Sequence, residues 1–144
     1  MTIIEAINRI DTLKPNTYSP SEKIMWLSNL DGLIKTEIID THEGAENVHF
    51  IGYTDETPMD TVLIVPAPHD DLYLKWLEAQ IDYANGEITR YNNAMTVFNS
   101  AYSTFSNYYN RTHMAKGTEF KFIGNKKSFV GIIEGDPLNQ ADDI

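Results

Sequence analysis

The chain has 144 residues, no cysteine and a formal net charge of −10 at pH 7; the length suits one domain, and the missing cysteines exclude a disulfide framework or a thiolate zinc site. An acidic body does not draw phosphate backbones to itself, because that binding is largely counterion release by Lys and Arg, so sequence-specific DNA reading is not expected. No run of eighteen apolar residues is present to span a membrane, and Met1–Ile10 carries Glu5 early in place of a basic-then-apolar leader, so export by the usual signal route is not expected either.

Thr2 and Glu5 have capping-box spacing and open a short helix from Ile3 to about Leu13, with Ile4, Ile7 and Ile10 on one face. Lys14-Pro15-Asn16 ends it. Ser19-Pro20-Ser21-Glu22 then starts a second helix running to about Thr41: Ser19 can cap, and Pro20 suits the first helical position. Leu27, Leu30, Ile34 and Ile38 form its buried line, flanked by Trp26 and Leu33, and Gly32 permits close packing against a neighbouring helix. Residues 1–42 thus read as helices. Residues 43–68 read as a β-hairpin insertion, pairing the strand-like runs Val48–Tyr53 and Thr61–Val65 across a polar turn.

From Leu74 to Tyr109 the apolar positions recur at alternating gaps of three and four: Leu74, Leu77, Ile81, Ala84, Ile88, Tyr91, Met95, Phe98, Tyr102, Phe105 and Tyr109. That register predicts one long helix within 69–115, unbroken or bent. Thirty-six residues at 1.5 Å each span roughly 54 Å. Asn85-Gly86 and Asn92-Asn93 are the candidate breaks, and a helix–turn–helix is the alternative reading, but the apolar phase runs through both. Such a stripe reads either as a helical core face or as a seam between subunits made by Leu77, Ile81, Ile88, Tyr91, Met95, Phe98, Tyr102, Phe105 and Tyr109. A rod of that length is not expected to bury the stripe against its own short partners, which favours the seam.

Beyond Gly117 the period changes. Phe120, Phe122, Lys126, Lys127, Phe129, Ile132 and Ile133 suggest a second hairpin, followed by an aperiodic tail through Leu138 to Ile144. Residues 114–133 carry net +3, whereas residues 134–144 carry −4 and residues 1–63 carry −7. A basic hairpin on an acidic chain reads either as guarded strand edges or as an arm that docks on a partner. The fold class is therefore mainly α: a helical bundle with one long helix in its C-terminal half, a β-hairpin insertion and a C-terminal hairpin with extended tail, in a single domain 1–144.

Motifs for chemistry are absent. There is no GxSxG, Walker or GxGxxG pattern, and His42, His49, His69 and His113 have no HExxH spacing. Asp40, His42 and Glu43 could offer metal ligands, but polar residues gather at any helix end before a glycine such as Gly44. No catalytic residue, metal ligand set or cofactor is expected, and the chain does not read as an enzyme.

The runs Val65–Tyr73, Trp76–Glu87, Arg90–Asn93 and Asn107–Met114, with Trp26–Gly32 and Glu37–His42 before them, resemble small virion-associated proteins of phages and prophages of Gram-positive bacteria, the nearest functional class being the head–tail connector, or adaptor. The resemblance implies a mainly helical subunit with a small β element and a C-terminal arm. It implies a homo-oligomeric ring, typically twelvefold, on the portal protein, joined below to a neck or tail protein. The ring extends a channel through which DNA passes without specific binding. Localisation would be the virion neck, after assembly in the host cytoplasm. The long heptad run and the insertion at 43–68 depart from the shorter adaptors. Another tail-completion, neck or baseplate part, or an acidic soluble binder that blocks a DNA-binding factor, would share the same acidic helical character.

Overall fold

A computed structural model describes residues 1–117. The chain divides into two units, Met1–Met114 and Ala115–Ile144, and the architecture below is that of the first. It is mainly helical, with α1 at Ile3–Leu13, α2 at Pro20–Glu37, α3 at Leu72–Ala84 and α4 at Ile88–Thr112, plus two 3-10 turns at Ile39–Thr41 and Ala45–Asn47.

The helix starts follow the local chemistry of their caps. Thr2 Oγ1 accepts the Glu5 amide at 3.2 Å while Glu5 Oε1 accepts the Thr2 amide at 2.9 Å, so both halves of the box form. Ser19 Oγ accepts the Glu22 amide at 3.2 Å at the head of α2. The face of α1 that is buried is Ile3, Ala6, Ile7 and Ile10, one position round from the expected stripe, and Ile4 is only partly covered. In α2 the line Leu27, Leu30, Ile34 and Ile38 is buried as its spacing requires, with Trp26 beside it, whereas Leu33 is exposed.

The long rod does not form. Between α3 and α4 the Gly86 amide bonds the Tyr83 carbonyl at 3.0 Å and the Glu87 amide bonds the Asp82 carbonyl at 2.9 Å, with Gly86 at φ +77°. These are the two bonds of a Schellman C-cap, which ends α3. α3 and α4 fold back on each other and make the most extensive helix–helix contact of the unit. Apolar phase survives the turn because Ile81 and Ile88 are seven residues apart, and two antiparallel helices satisfy the same stripe that a rod would present to a second molecule.

The insertion 43–68 contains no strand, so the expected β-hairpin is absent there. Its second run does pair, but with the N-terminus. Thr2 and Val62 form an antiparallel bridge, the Ile3 amide bonds the Thr61 carbonyl at 3.0 Å and the Leu63 amide bonds the Met1 carbonyl at 3.0 Å. The extended backbone of Thr2 at the α1 N-cap (φ −93°, ψ 168°) offers that edge. The first run, 48–53, is instead pinned to α2 by side chains. The hairpin and tail expected from residue 118 onward lie outside the described residues.

The core gathers Ile3, Ile7 and Ile10 of α1, Leu27, Leu30 and Ile34 of α2, Leu63 and Val65 of the insertion, Leu72, Tyr73 and Leu77 of α3, and Phe98, Phe105 and Tyr109 of α4. Full burial of each aliphatic side chain contributes about 1.5–3 kcal/mol. Trp76 ties α2, α3 and α4 together: its ring lies 5.0 Å from that of Phe98, and its Nε1 donates to the Trp26 carbonyl at 2.9 Å.

A candidate docking surface

The expected subunit seam is largely an internal contact. Leu77, Ile81, Phe98, Phe105 and Tyr109 are buried within the chain. Tyr91, Met95 and Tyr102 are partly covered, and Ile88 alone of the set is exposed. The stripe therefore meets its partner inside the molecule, through the hairpin that the turn at Gly86 creates. The arm residues Phe120, Phe122, Lys126, Lys127, Phe129, Ile132, Ile133, Leu138 and Ile144 lie outside the described residues.

What the apolar pattern hides is a polar hub. Asp31 sits in phase with Leu27 and Ile34 on the buried face of α2 and has no solvent exposure. Its Oδ1 accepts the Tyr73 hydroxyl at 2.6 Å. Its Oδ2 accepts the Tyr53 hydroxyl at 2.6 Å and the Ile64 amide at 3.2 Å. The Tyr73 oxygen in turn accepts the Val65 amide at 2.8 Å. Four bonds thus lock the insertion to α2 and α3, and every buried polar atom in the group has a partner. Burial holds the Asp31 carboxyl above its ordinary range, against the lowering effect of the two hydroxyls and the amide. Burial and the adjacent carboxylate push both tyrosines upward. The signal for this hub was present in the sequence as an acid inside an apolar stripe, which a helix buries only when it is satisfied.

The hub displays an exposed loop. Phe50 packs over Gly32, its Cε2 3.5 Å from where a Cβ would stand, and its ring meets Tyr53 edge-on at 5.1 Å. The Tyr53 amide donates to Ser28 Oγ at 2.9 Å. Gly52 takes φ +94°, a conformation that L side chains rarely adopt. Between these anchors Ile51 projects fully into solvent, at 102% relative exposure.

A groove lies on the far side of α3. Its floor is the stripe Leu74, Lys75, Glu78 and Asp82, and its walls come from α1 (Arg9, Leu13, Lys14) and α4 (Arg90, Asn93, Ala94, Val97). The wider end has a volume of about 410 Å³. At about 100° per residue, this stripe faces away from Tyr73 and Trp76, which contact α2. Lys14 Nζ stands 2.8 Å from Asp82 Oδ1, in contact but without hydrogen-bond alignment.

The groove is mixed in charge: Asp71, Glu78 and Asp82 line it beside its cations, Lys14 is paired with Asp82, Lys75 with Asp71 at 3.3 Å and Arg90 with Glu87 at 3.5 Å. From Thr36 through Leu74 there is no Lys or Arg, while nine acids occur there. Four of the eight Lys and Arg residues in the described part, Arg9, Lys14, Lys75 and Arg90, line the groove.

The polar residues after α2 do not assemble into a metal centre. His42 is buried, its Nδ1 2.6 Å from the Ile38 carbonyl and its ring edge-on to Tyr109 at 4.9 Å. Among the described residues no group of three or more His, Cys, Asp or Glu side chains is arranged to hold a metal ion, and no helix is long and apolar enough to cross a membrane. No family model, curated protein or solved structure matches the chain.

Proposed function

We propose that the chain is a structural subunit of a phage virion: a head–tail connector that forms a ring, twelvefold in the usual case, on the portal and carries the DNA channel toward the next neck or tail protein. The observation that carries this reading is the acidic stretch from Thr36 to Leu74 on a well-packed helical body. A ring of side-by-side copies requires two different surfaces per subunit, because each contact is heterologous and closes by rotation. A channel wall requires a surface that DNA slides past without sticking, and an acidic stretch free of Lys and Arg from Thr36 to Leu74 suits that task. The virion resemblance of the runs around Val65–Glu87 and Asn107–Met114 points the same way.

The test is to mix the purified full chain with portal rings of the phage that encodes it and to image the product by electron microscopy. The expected result is a defined ring of added density on the tail-facing end of the portal. Portal rings that remain bare at saturating concentration would remove the connector reading. A dimer or monomer that instead binds and displaces a DNA-binding protein would favour the soluble regulator.

A further inference from the structure

We propose that Asn85 is a site of spontaneous covalent modification, where the chain cyclises to a succinimide and opens to aspartate or isoaspartate, and that the Tyr18 hydroxyl holds this reaction off in the folded protein. Of all the asparagines in the chain, Asn85 alone is followed by glycine. A glycine amide is the least hindered backbone nucleophile, and nothing lies within 4 Å of where a Cβ on Gly86 would stand. Both residues are exposed, so water reaches them. This chemistry is independent of whether the chain forms a ring.

The reaction needs no partner besides water. The Gly86 nitrogen, once it has lost its proton to solvent, attacks Asn85 Cγ. A C–N bond forms, the Cγ–Nδ2 bond breaks, and Nδ2 takes up a proton from solvent and leaves as ammonia. Water then opens the cyclic imide. Attack at Cγ yields aspartate, and attack at the main-chain carbonyl yields isoaspartate.

The turn opposes that first attack in three ways. Asn85 sits at ψ −9°, a helical torsion, and the imide cannot close without rotation about its Cα–C bond. The Gly86 amide donates to the Tyr83 carbonyl at 3.0 Å, which disfavours loss of its proton. Asn85 Oδ1 accepts the Tyr18 hydroxyl at 2.6 Å, and the Tyr18 ring is itself braced edge-on against Trp26 of α2 at 5.8 Å. The first two restraints fail together when the end of α3 frays, so the rate follows the population of the opened turn. Tyr18 acts on that population as a positioning residue: loss of its one hydrogen bond raises it about fivefold. The two products differ in consequence. Aspartate keeps the main chain intact. Isoaspartate adds a methylene to the backbone just before Gly86 and Glu87, whose amides bond the Tyr83 and Asp82 carbonyls, and so undoes the cap that ends α3.

The test is to age the full chain in mildly alkaline heavy-oxygen water, folded and in urea, and to read its peptides by mass spectrometry, with isoaspartyl methyltransferase marking isoaspartate. In urea, Asn85 should take up solvent oxygen before any other asparagine, and in the folded chain far more slowly. Tyr18→Phe keeps the ring against Trp26 and should speed labelling of folded Asn85 about fivefold. Thr2→Ala removes one comparable hydrogen bond at the α1 cap and should leave that rate unchanged. Equal rates in Tyr18→Phe and wild type, or the same acceleration by Thr2→Ala, would overturn the role of Tyr18. Another asparagine reacting first in urea, or Asn85 reacting as fast folded as unfolded, would overturn the site.

Discussion

Replacing Asp31 by Ala removes the acceptor for three donors at once. The Tyr73 hydroxyl, at 2.6 Å, is fully buried and has no other acceptor within the group. The Tyr53 hydroxyl is only part-buried and can turn to water, and the Ile64 amide makes the longest of the three bonds, at 3.2 Å. A hydrogen bond to a charged acceptor contributes about 1.5–3 kcal/mol net. One full bond of this kind and two weaker ones are lost, and relief from burying the carboxylate offsets part of the loss. The expected destabilisation is about 3 kcal/mol, a large share of a domain stability of about 5–15 kcal/mol. Urea unfolding followed by the fluorescence of Trp26 and Trp76 measures it. Tyr73→Phe leaves the Val65 amide unpaired and should cost about 2 kcal/mol. The double variant should show a coupling of at least about 1 kcal/mol, because the two groups share one bond. An Asp31→Ala protein within about 0.5 kcal/mol of wild type, or strict additivity with Tyr73→Phe, would refute the hub.

Burial raises the Asp31 carboxyl above 3.8, so the folded chain takes up its proton at higher pH than the unfolded chain. Its contribution is complete below 3.8 and is lost as pH rises through the raised value. The stability of the wild type relative to Asp31→Asn should therefore grow as pH falls from about 7 to 4, and parallel profiles in urea titrations would contradict this. Tyr53 and Tyr73 are also raised, so their contribution holds below pH 10.0 and fades above it, giving alkaline unfolding that Tyr53→Phe shifts. Gly86→Ala meets nothing within 4 Å but must adopt φ +77°, a strain of about 1–2 kcal/mol. Gly32→Ala lies in a helix with only an ordinary contact to Phe50 and should be neutral or stabilising by up to about 1 kcal/mol; an unchanged or higher melting temperature for Gly86→Ala, or a clearly lower one for Gly32→Ala, would count against the respective assignment. Phe98→Ala should cost about 3–5 kcal/mol through the cavity left beside Trp76. Phe98→Asp should prevent folding of the monomer, as read by loss of the helical dichroism signal, and a folded Phe98→Asp monomer would show that the ring is not core.

Local chemistry was readable wherever it acts over a few residues. Thr2, Ser19 and Pro20 announced two helix starts, and the spacing of Leu27, Leu30 and Ile34 identified the buried face of α2. Periodicity could not separate a rod from a hairpin, because a turn that keeps Ile81 and Ile88 one heptad apart leaves the phase untouched. Only Asn85-Gly86 marked the reversal. The β-branched run at Thr61–Val65 reads as a strand, but only Val62 bridges, to Thr2, before the chain bends at Ile64 and Val65; strand propensity carries no information on which edge is near. Phe50 and Tyr53 read as strand residues because what holds them is distant in sequence: Ser28 and Asp31 bond Tyr53, and Gly32 lies under the Phe50 ring. Asp31 is one of 21 acids in the chain, and its place between Leu27 and Ile34 sets it apart.

α4 is nearly twice as long as α3, 25 residues against 13, so its two halves live in different neighbourhoods. The first half leans on α3 through Phe98 and Trp76. The second half reaches Glu37 through the Tyr102 hydroxyl at 3.0 Å, sets Tyr108 against His69 with ring centroids 4.8 Å apart and is followed by Met114, whose carbonyl accepts the Glu43 amide at 2.8 Å. Amide protons from about Tyr102 onward should consequently exchange in step with those of the 3-10 turns after α2, not with the start of their own helix. One continuous rod of backbone would then belong to two separately opening units, and force applied at its far end would loosen the Ile39–Asn47 corner before it disturbed the α3 hairpin.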